Sequence, residues 1–214
     1  MIKIDSKIEL GPELKAFDEK ELKNEPMLFN CDYESAFFLG GEATRQFLKN
    51  LPEEWMNNKT IIDSRVHMLM KGWYPCIPGY HHDDVPRERS DGQPQYISPS
   101  YRSEHAMILY NGNICPTEFA IDEVWFQIPE IGKTIYKQWH EEVEVCLEAG
   151  FLERFQAPQN QIIYFNDRTW HQGVKAVDNG WRLFIRASRN TGRKATNEIR
   201  KQVQVYLENP MEGW

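Results

Sequence analysis

Two short strings hold most of the chemistry this sequence could do. The first is Gly79-Tyr80-His81-His82-Asp83-Asp84-Val85-Pro86. The second is Phe165-Asn166-Asp167-Arg168-Thr169-Trp170-His171-Gln172-Gly173. In an extended chain, residues i and i+2 share a side. His81 and Asp83 therefore point one way and His82 and Asp84 the other, and either pair could chelate one metal ion. Pro75 and Pro78 break the register from the preceding segment, so periodicity leaves both pairs open. In the second string a buried-looking run, Gln161 to Asn166, enters a turn that delivers His171. A third string, Gly180 to Ser188, reads as an apolar strand with Arg182, Phe184, Arg186 and Ser188 on one face. Two imidazoles and one carboxylate on one face of Fe(II) leave other coordination positions open, which a bidentate 2-oxo acid and dioxygen can fill. The far carboxylate of such a co-substrate lies inside the protein and needs a cation. The planar fork of arginine suits it, because it pairs with carboxylate through two hydrogen bonds and stays charged.

Each piece alone has a plain structural reading: a solvated turn, a satisfied histidine, an ordinary ion pair. Together, and in this order, they resemble the Fe(II)/2-oxoglutarate-dependent dioxygenases. The form is that of the prolyl-hydroxylase- and phytanoyl-hydroxylase-like members: aromatic-His-x-Asp, a distal His, then a basic residue roughly ten positions later. Tyr80-His81-His82-Asp83 looks like the first element, and His171 follows Asp83 by 88 residues. Val177, Gly180 and Arg182 follow His171 as they do in that arrangement, within a resemblance spanning roughly residues 61–190. It implies Fe(II) held by His81, Asp83 and His171, with the His81 register favoured by the preceding Tyr80. It implies 2-oxoglutarate held by the metal and by Arg182, 11 positions after His171. An Arg-x-Ser form at Arg186-Ala187-Ser188 is the competing anchor, 15 positions after His171. The implied fold is a double-stranded β-helix, a cupin-like jelly roll. The implied reaction turns 2-oxoglutarate into succinate and CO2 and hydroxylates a substrate C–H. A carboxylate at Asp83 argues against the halogenating branch.

The elements that must position these residues read as mainly β with flanking helices. A mixed entry segment, 1–60, carries short strands at Ile2, Ile4, Ile8 and Leu10. A helix opened by Pro12 is expected over PELKAFDEKELK, and a second over Tyr33–Leu51, interrupted by Gly40-Gly41. Over Arg65–Tyr74, Val66, Met68 and Met70 share a strand face. Further strands are expected at Ala106–Tyr110, Glu118–Ile128, Phe151–Ala157, Gln161–Asn166 and Trp181–Ser188. One amphipathic helix, 133–149, is inserted among them, with Ile135, Trp139, Val143, Cys146 and Leu147 on its apolar face. The jelly-roll core is thus expected over 61–190 and a tail over 191–214, with a weak amphipathic segment at Asn197–Leu207. Helices followed by many short strands suggest an antiparallel sandwich or barrel.

Between the first strand of the core and the next lies a polar stretch, 75–104, with five prolines and no periodicity. A loop that long is usually functional or disordered. It is read as a lid that places Asp84, Arg87, Tyr96 and Arg102 by the substrate. His67, His105 and His140 have no partner pattern and read as structural or surface residues.

With 214 residues, 41% hydrophobic and 27% charged, the chain suits one globular domain. The net charge of −7 makes a small anionic metabolite a better partner than a long nucleic acid, although residues 182–201 carry seven basic groups and one acid. Cys31, Cys76, Cys115 and Cys146 form no C-x-x-C pair. No apolar run reaches the ~18 residues of a membrane span, and the opening MIKIDSKIELG has no signal-peptide pattern. A cytoplasmic chain with reduced thiols is expected. Three other readings stay open: a nucleic-acid-directed member of the same superfamily, a cupin-like Zn or Mn enzyme, and a non-catalytic ligand-binding jelly roll.

Overall fold

A computed structural model describes residues 1–207; of the expected tail, residues 208–214 lie outside the described residues. In chain order the elements are β1 (Ile2–Ser6), β2 (Ile8–Glu13), α1 (Glu19–Lys23), β3 (Leu28–Phe29), β4 (Cys31–Asp32), α2 (Tyr33–Leu39), α3 (Glu42–Lys49) and β5 (Ile61–Leu69). Then come β6 (Glu104–Tyr110), β7 (Thr117–Phe126), α4 (Ile135–Glu148), β8 (Glu153–Gln156), β9 (Gln161–Asn166), β10 (Trp170–Gly173), β11 (Gly180–Arg189) and β12 (Glu198–Ile199).

Among the described residues the strands form two main antiparallel sheets of unequal size and a small two-stranded one, β3-β12. The larger runs β2-β9-β6-β11-β5-β4. In the smaller, the long β7 pairs with β1 over its second half and with β8 and β10 over its first. The inner faces pack on each other through Met107, Leu109, Ile163 and Phe165 of the large sheet and Phe119 of the small one. The outer face of the large sheet, with Ile62, Val66, Ile108, Leu183, Ile185 and Ala187, is covered by α1–α3 through Leu22, Ala36, Ala43, Phe47 and Leu48. The outer face of the small sheet is covered by α4, which buries Ile135, Tyr136, Trp139 and Val143 against Ala120, Phe126 and Trp170. The chain is therefore mainly β, as the sequence suggests, with helices closing both sides.

Several boundaries differ from expectation, each for a local reason. Pro12 lies in β2, at the edge of the large sheet, where a missing N–H costs no ladder bond. The helix there shrinks to Glu19–Lys23, started by an Asp18–Glu21 capping box. The helix expected over 33–51 divides into α2 and α3, because Gly40 and Gly41 are both extended. A side chain at Gly40 would meet the Ala36 carbonyl at 2.7 Å, so the close turn between the two helices needs glycine. The core strand starts at Ile61 and ends at Leu69, and Met68 and Met70 are exposed. Residues 197–207 form no helix; Glu198–Ile199 pairs instead with β3. The inserted helix, by contrast, lies within its expected 133–149, at Ile135–Glu148, with Ile135, Trp139 and Val143 buried as expected and Cys146 and Leu147 partly buried.

Candidate metal centre and the cavity behind it

Strand alternation decides which of the doubled His-Asp residues meet His171. His81 pairs with His171 as an antiparallel bridge, exchanging N–H···O bonds of 3.1 and 3.3 Å. The bridge extends the small sheet by one residue beyond β10. Both histidines thus face into the sandwich, as does Phe119, the partner of His171 on β7. Trp170 and His82, one residue along on each strand, face the other way and stack at 3.6 Å between ring centroids. Asp83, two residues beyond His81, returns to the inner side. His81, Asp83 and His171 bring one ligand atom each within 4.8 Å of one another and could hold a metal ion.

The imidazoles are prepared for that role. The Nδ1 atoms of His81 and His171 lie 2.8 and 2.9 Å from the carbonyl oxygens of Gly79 and Thr169. A carbonyl only accepts, so Nδ1 holds the proton in each ring and Nε2 turns its lone pair inward. Burial and the neighbouring His171 push His81 down to about 4, so it stays neutral. The His171 Nε2 lies 3.1 Å from Asp83 Oδ2 and the His81 Nε2 lies 4.0 Å from Oδ1. With Nδ1 protonated in both rings, the two Nε2 lone pairs and the Asp83 carboxylate face one point, and Arg186 Nη1 donates to the same Oδ2. Burial alone would raise the Asp83 carboxyl, but Arg186, hydrogen-bonded to it, holds it well below the usual carboxylate range.

Behind the trio a cavity of about 460 Å³ runs between the sheets. Its floor is a ladder on β5 and β11, where Asp63 pairs with Arg186, Arg65 with Phe184 and His67 with Arg182. The last described segment, through Arg200, Gln202, Gln204 and Tyr206, closes one wall and is tied down by the Tyr74–Tyr206 bridge. At the far end Arg182, 3% exposed, donates from Nη2 to Thr117 Oγ1 at 3.2 Å. Among the described residues its Nε has no hydrogen-bond partner and no carboxylate pairs with it. Burial lowers its pKa, the mark of a charge short of a counter-ion. Arg65 stands close enough to lower it further.

Arg186 has a different place. It binds Asp83 and sits 3.9 Å from Asp63 and 3.8 Å from Asp84. Arg193 and Arg200 join the same acids, at 3.0 and 3.5 Å from Asp63. Much of the basic stretch 182–201 is thereby turned onto buried acids. Ser188 shares the inner face but bonds His105 Nδ1 at 2.9 Å. His82 bonds Tyr96 at 2.7 Å, Tyr96 bonds Tyr136 at 3.0 Å, and Tyr136 donates back to the His82 carbonyl.

The loop 75–103 carries no helix or strand beyond the single His81 bridge, yet it is anchored. Val85 and Tyr96 are buried against α4, so Tyr96 supports His82 and is not at an opening. Arg102 is spent on the buried Asp167 at 2.8 Å. Asp84 and Arg87 border a second cavity beside Asp83. The sequence reading missed Asp63, Arg65, Thr117 and the cavity-facing place of His67. A polar i, i+2, i+4 series on β5 is the signal for Asp63, Arg65 and His67; Thr117, at the start of β7, has none. All four cysteines are free.

The fold and site define a two-sheet antiparallel β protein with a His-Asp-His group suited to a metal ion. No family model, no curated protein and no solved structure matches the chain. No helix among the described residues is long and apolar enough to cross a membrane.

Proposed function

We propose that the chain is an Fe(II)- and 2-oxoglutarate-dependent dioxygenase with a jelly-roll core, oxidising a small substrate that carries an anionic group. The observation that supports it most is one cavity with a group that could hold a metal ion at one end and, at the other, a buried arginine that no carboxylate among the described residues pairs with. A metal-bound 2-oxo acid with a second carboxylate fits both ends. His81, Asp83 and His171 would hold Fe(II), whose chemistry is the activation of dioxygen at positions the protein leaves open. Arg182 and Thr117 would bind the distal carboxylate, and Arg65 would add to the positive potential there. Gly79 and Thr169 keep the imidazole lone pairs aimed inward. Burial of the cavity between two sheets limits water at the reacting centre.

The direct test is succinate release from 2-oxoglutarate under air, with Fe(II) and a reductant. Release that requires Fe(II) and vanishes in His171→Ala supports the reading; release independent of either rejects it. A second reading rests on Arg186, which already bonds Asp83. In a non-catalytic jelly roll, Arg186-Asp83-His171 would be a purely structural relay, and metal would neither bind nor stabilise the fold.

A further inference from the structure

Two cavities meet at Asp83, which lines both. The second, of about 330 Å³, lies outside the co-substrate cavity and is bordered by His82, Asp84, Arg87, Tyr101, Tyr136 and Arg193. Its walls hold unmatched polar atoms of opposite kinds. Asp84 is fixed in the left-handed region at φ +50°, its carbonyl bonded by Ser103 Oγ at 2.8 Å. Its Oδ2 is buried and accepts no hydrogen bond among the described residues. Arg186 and Arg193 stand 3.8 and 3.6 Å from it, too far to satisfy it. Arg193 uses Nη1 on Asp63, while its Nε and Nη2 donate to nothing among the described residues. Arg87, exposed at the rim, donates to the Gly92 carbonyl and pairs with no acid among the described residues.

A buried acceptor and two arginines with N–H groups to spare in one pocket suit a ligand with both complements. A plain carboxylate or phosphate would leave Asp84 unsatisfied and repelled. A plain amine would leave the spare N–H groups of Arg193 and the charge of Arg87 unused. Asp63, Asp83 and Asp84 roughly offset Arg186, Arg193 and Arg200, so Arg87 is the charge left over for an anion. We infer that this second cavity binds the primary substrate, and that the substrate is a free α-amino acid, its ammonium on Asp84 and its carboxylate on Arg193 and Arg87. That the ligand is then oxidised rests on the proposed function; that it binds here does not.

The test is calorimetric titration of the full chain with the standard L-amino acids, then with the N-acetyl and carboxamide derivatives of each binder, with and without 2-oxoglutarate. At least one amino acid should bind, and each derivative should bind at least tenfold more weakly. Asp84→Asn, close to isosteric, should erase the preference over the N-acetyl form. Arg193→Gln, and independently Arg87→Gln at the exposed rim, should shrink the preference over the carboxamide. Binding of no amino acid, equal binding of the derivatives, or indifference to all three variants would overturn the inference. Competition by 2-oxoglutarate would also overturn it, by placing the ligand in the first cavity. Amino-acid binding without any 2-oxoglutarate turnover would reject the dioxygenase reading and keep this site; turnover with no amino acid bound would do the reverse.

Discussion

Replacing Arg182 with Met should move stability and ligand binding in opposite directions. Arg182 is 3% exposed, bonds Thr117, and has an unpartnered Nε. Met keeps most of the buried aliphatic length and removes the charge. The free chain should therefore gain about 1–3 kcal/mol, the usual penalty of an unsatisfied buried group, less the lost bond to Thr117. The same change removes the partner of the distal carboxylate. Breaking a buried charge pair from one side costs ~3–5 kcal/mol, and 1.4 kcal/mol is a factor of ten, so Kd for 2-oxoglutarate should rise by roughly two to three orders of magnitude. Thermal unfolding with Zn(II) in place of iron reads both effects. At 100 times its Kd, 2-oxoglutarate should stabilise the wild type by about 2.7 kcal/mol and leave Arg182→Met almost unmoved. An equal ligand response in the two proteins, or a less stable variant that still responds, would refute the assignment. A purely structural arginine would lower stability and leave no ligand signature.

The doubled motif separates by mutation. His81→Ala should lose metal affinity with a modest loss of stability, whereas His82→Ala should keep metal affinity and lose about 2–4 kcal/mol of stability, because it empties the space between Trp170 and Tyr96; metal titration and chemical unfolding of both variants distinguish the two. The pH dependence of stability follows from the buried histidines. Burial with Arg182 and Arg65 pushes His67 down to about 3, and burial pushes His105 well below its ordinary value. Below pH ~6.5 the unfolded chain then binds more protons than the folded one, so stability should fall from pH ~6.5 toward ~4 by up to about 1.4 kcal/mol per pH unit for each such histidine. Equal urea midpoints at pH 7 and pH 5 would contradict this.

How much was legible in the sequence depended on what each residue faced. On β11, Leu183, Ile185 and Ala187 announce a buried face, and Arg182, Phe184, Arg186 and Ser188 share the other; the structure turns that other face into the cavity. On β5 the same logic misled. Val66, Met68 and Met70 read as the core face, and Val66 does pack under the helices, but Met68 and Met70 run out into solvent. The polar series Asp63, Arg65 and His67 reads as a solvated face when it lines the interior. A buried polar cavity and open water leave the same mark on a strand, and only pairing with a second sheet separates them. The His81 against His82 choice was equally closed to local reasoning, because the register comes from a bridge to His171, far along the chain. Arg102 and Tyr96 were misplaced for a related reason: a polar, proline-rich loop carries no sign that Asp167 and His82 wait for them. The helix 135–148 was legible because its period, apolar face and glycine stop are all local.

The measurement that bears most directly on the central claim is a visible spectrum of the full chain under strict exclusion of oxygen. Adding Fe(II) and then 2-oxoglutarate should produce a metal-to-ligand charge-transfer band, because a 2-oxo acid chelating Fe(II) at His81, Asp83 and His171 creates that chromophore. The band should be lost in His171→Ala and should need far more 2-oxoglutarate in Arg182→Met. A folded wild-type chain that binds Fe(II) yet shows no band at saturating 2-oxoglutarate, or a band that persists in His171→Ala, would contradict the account.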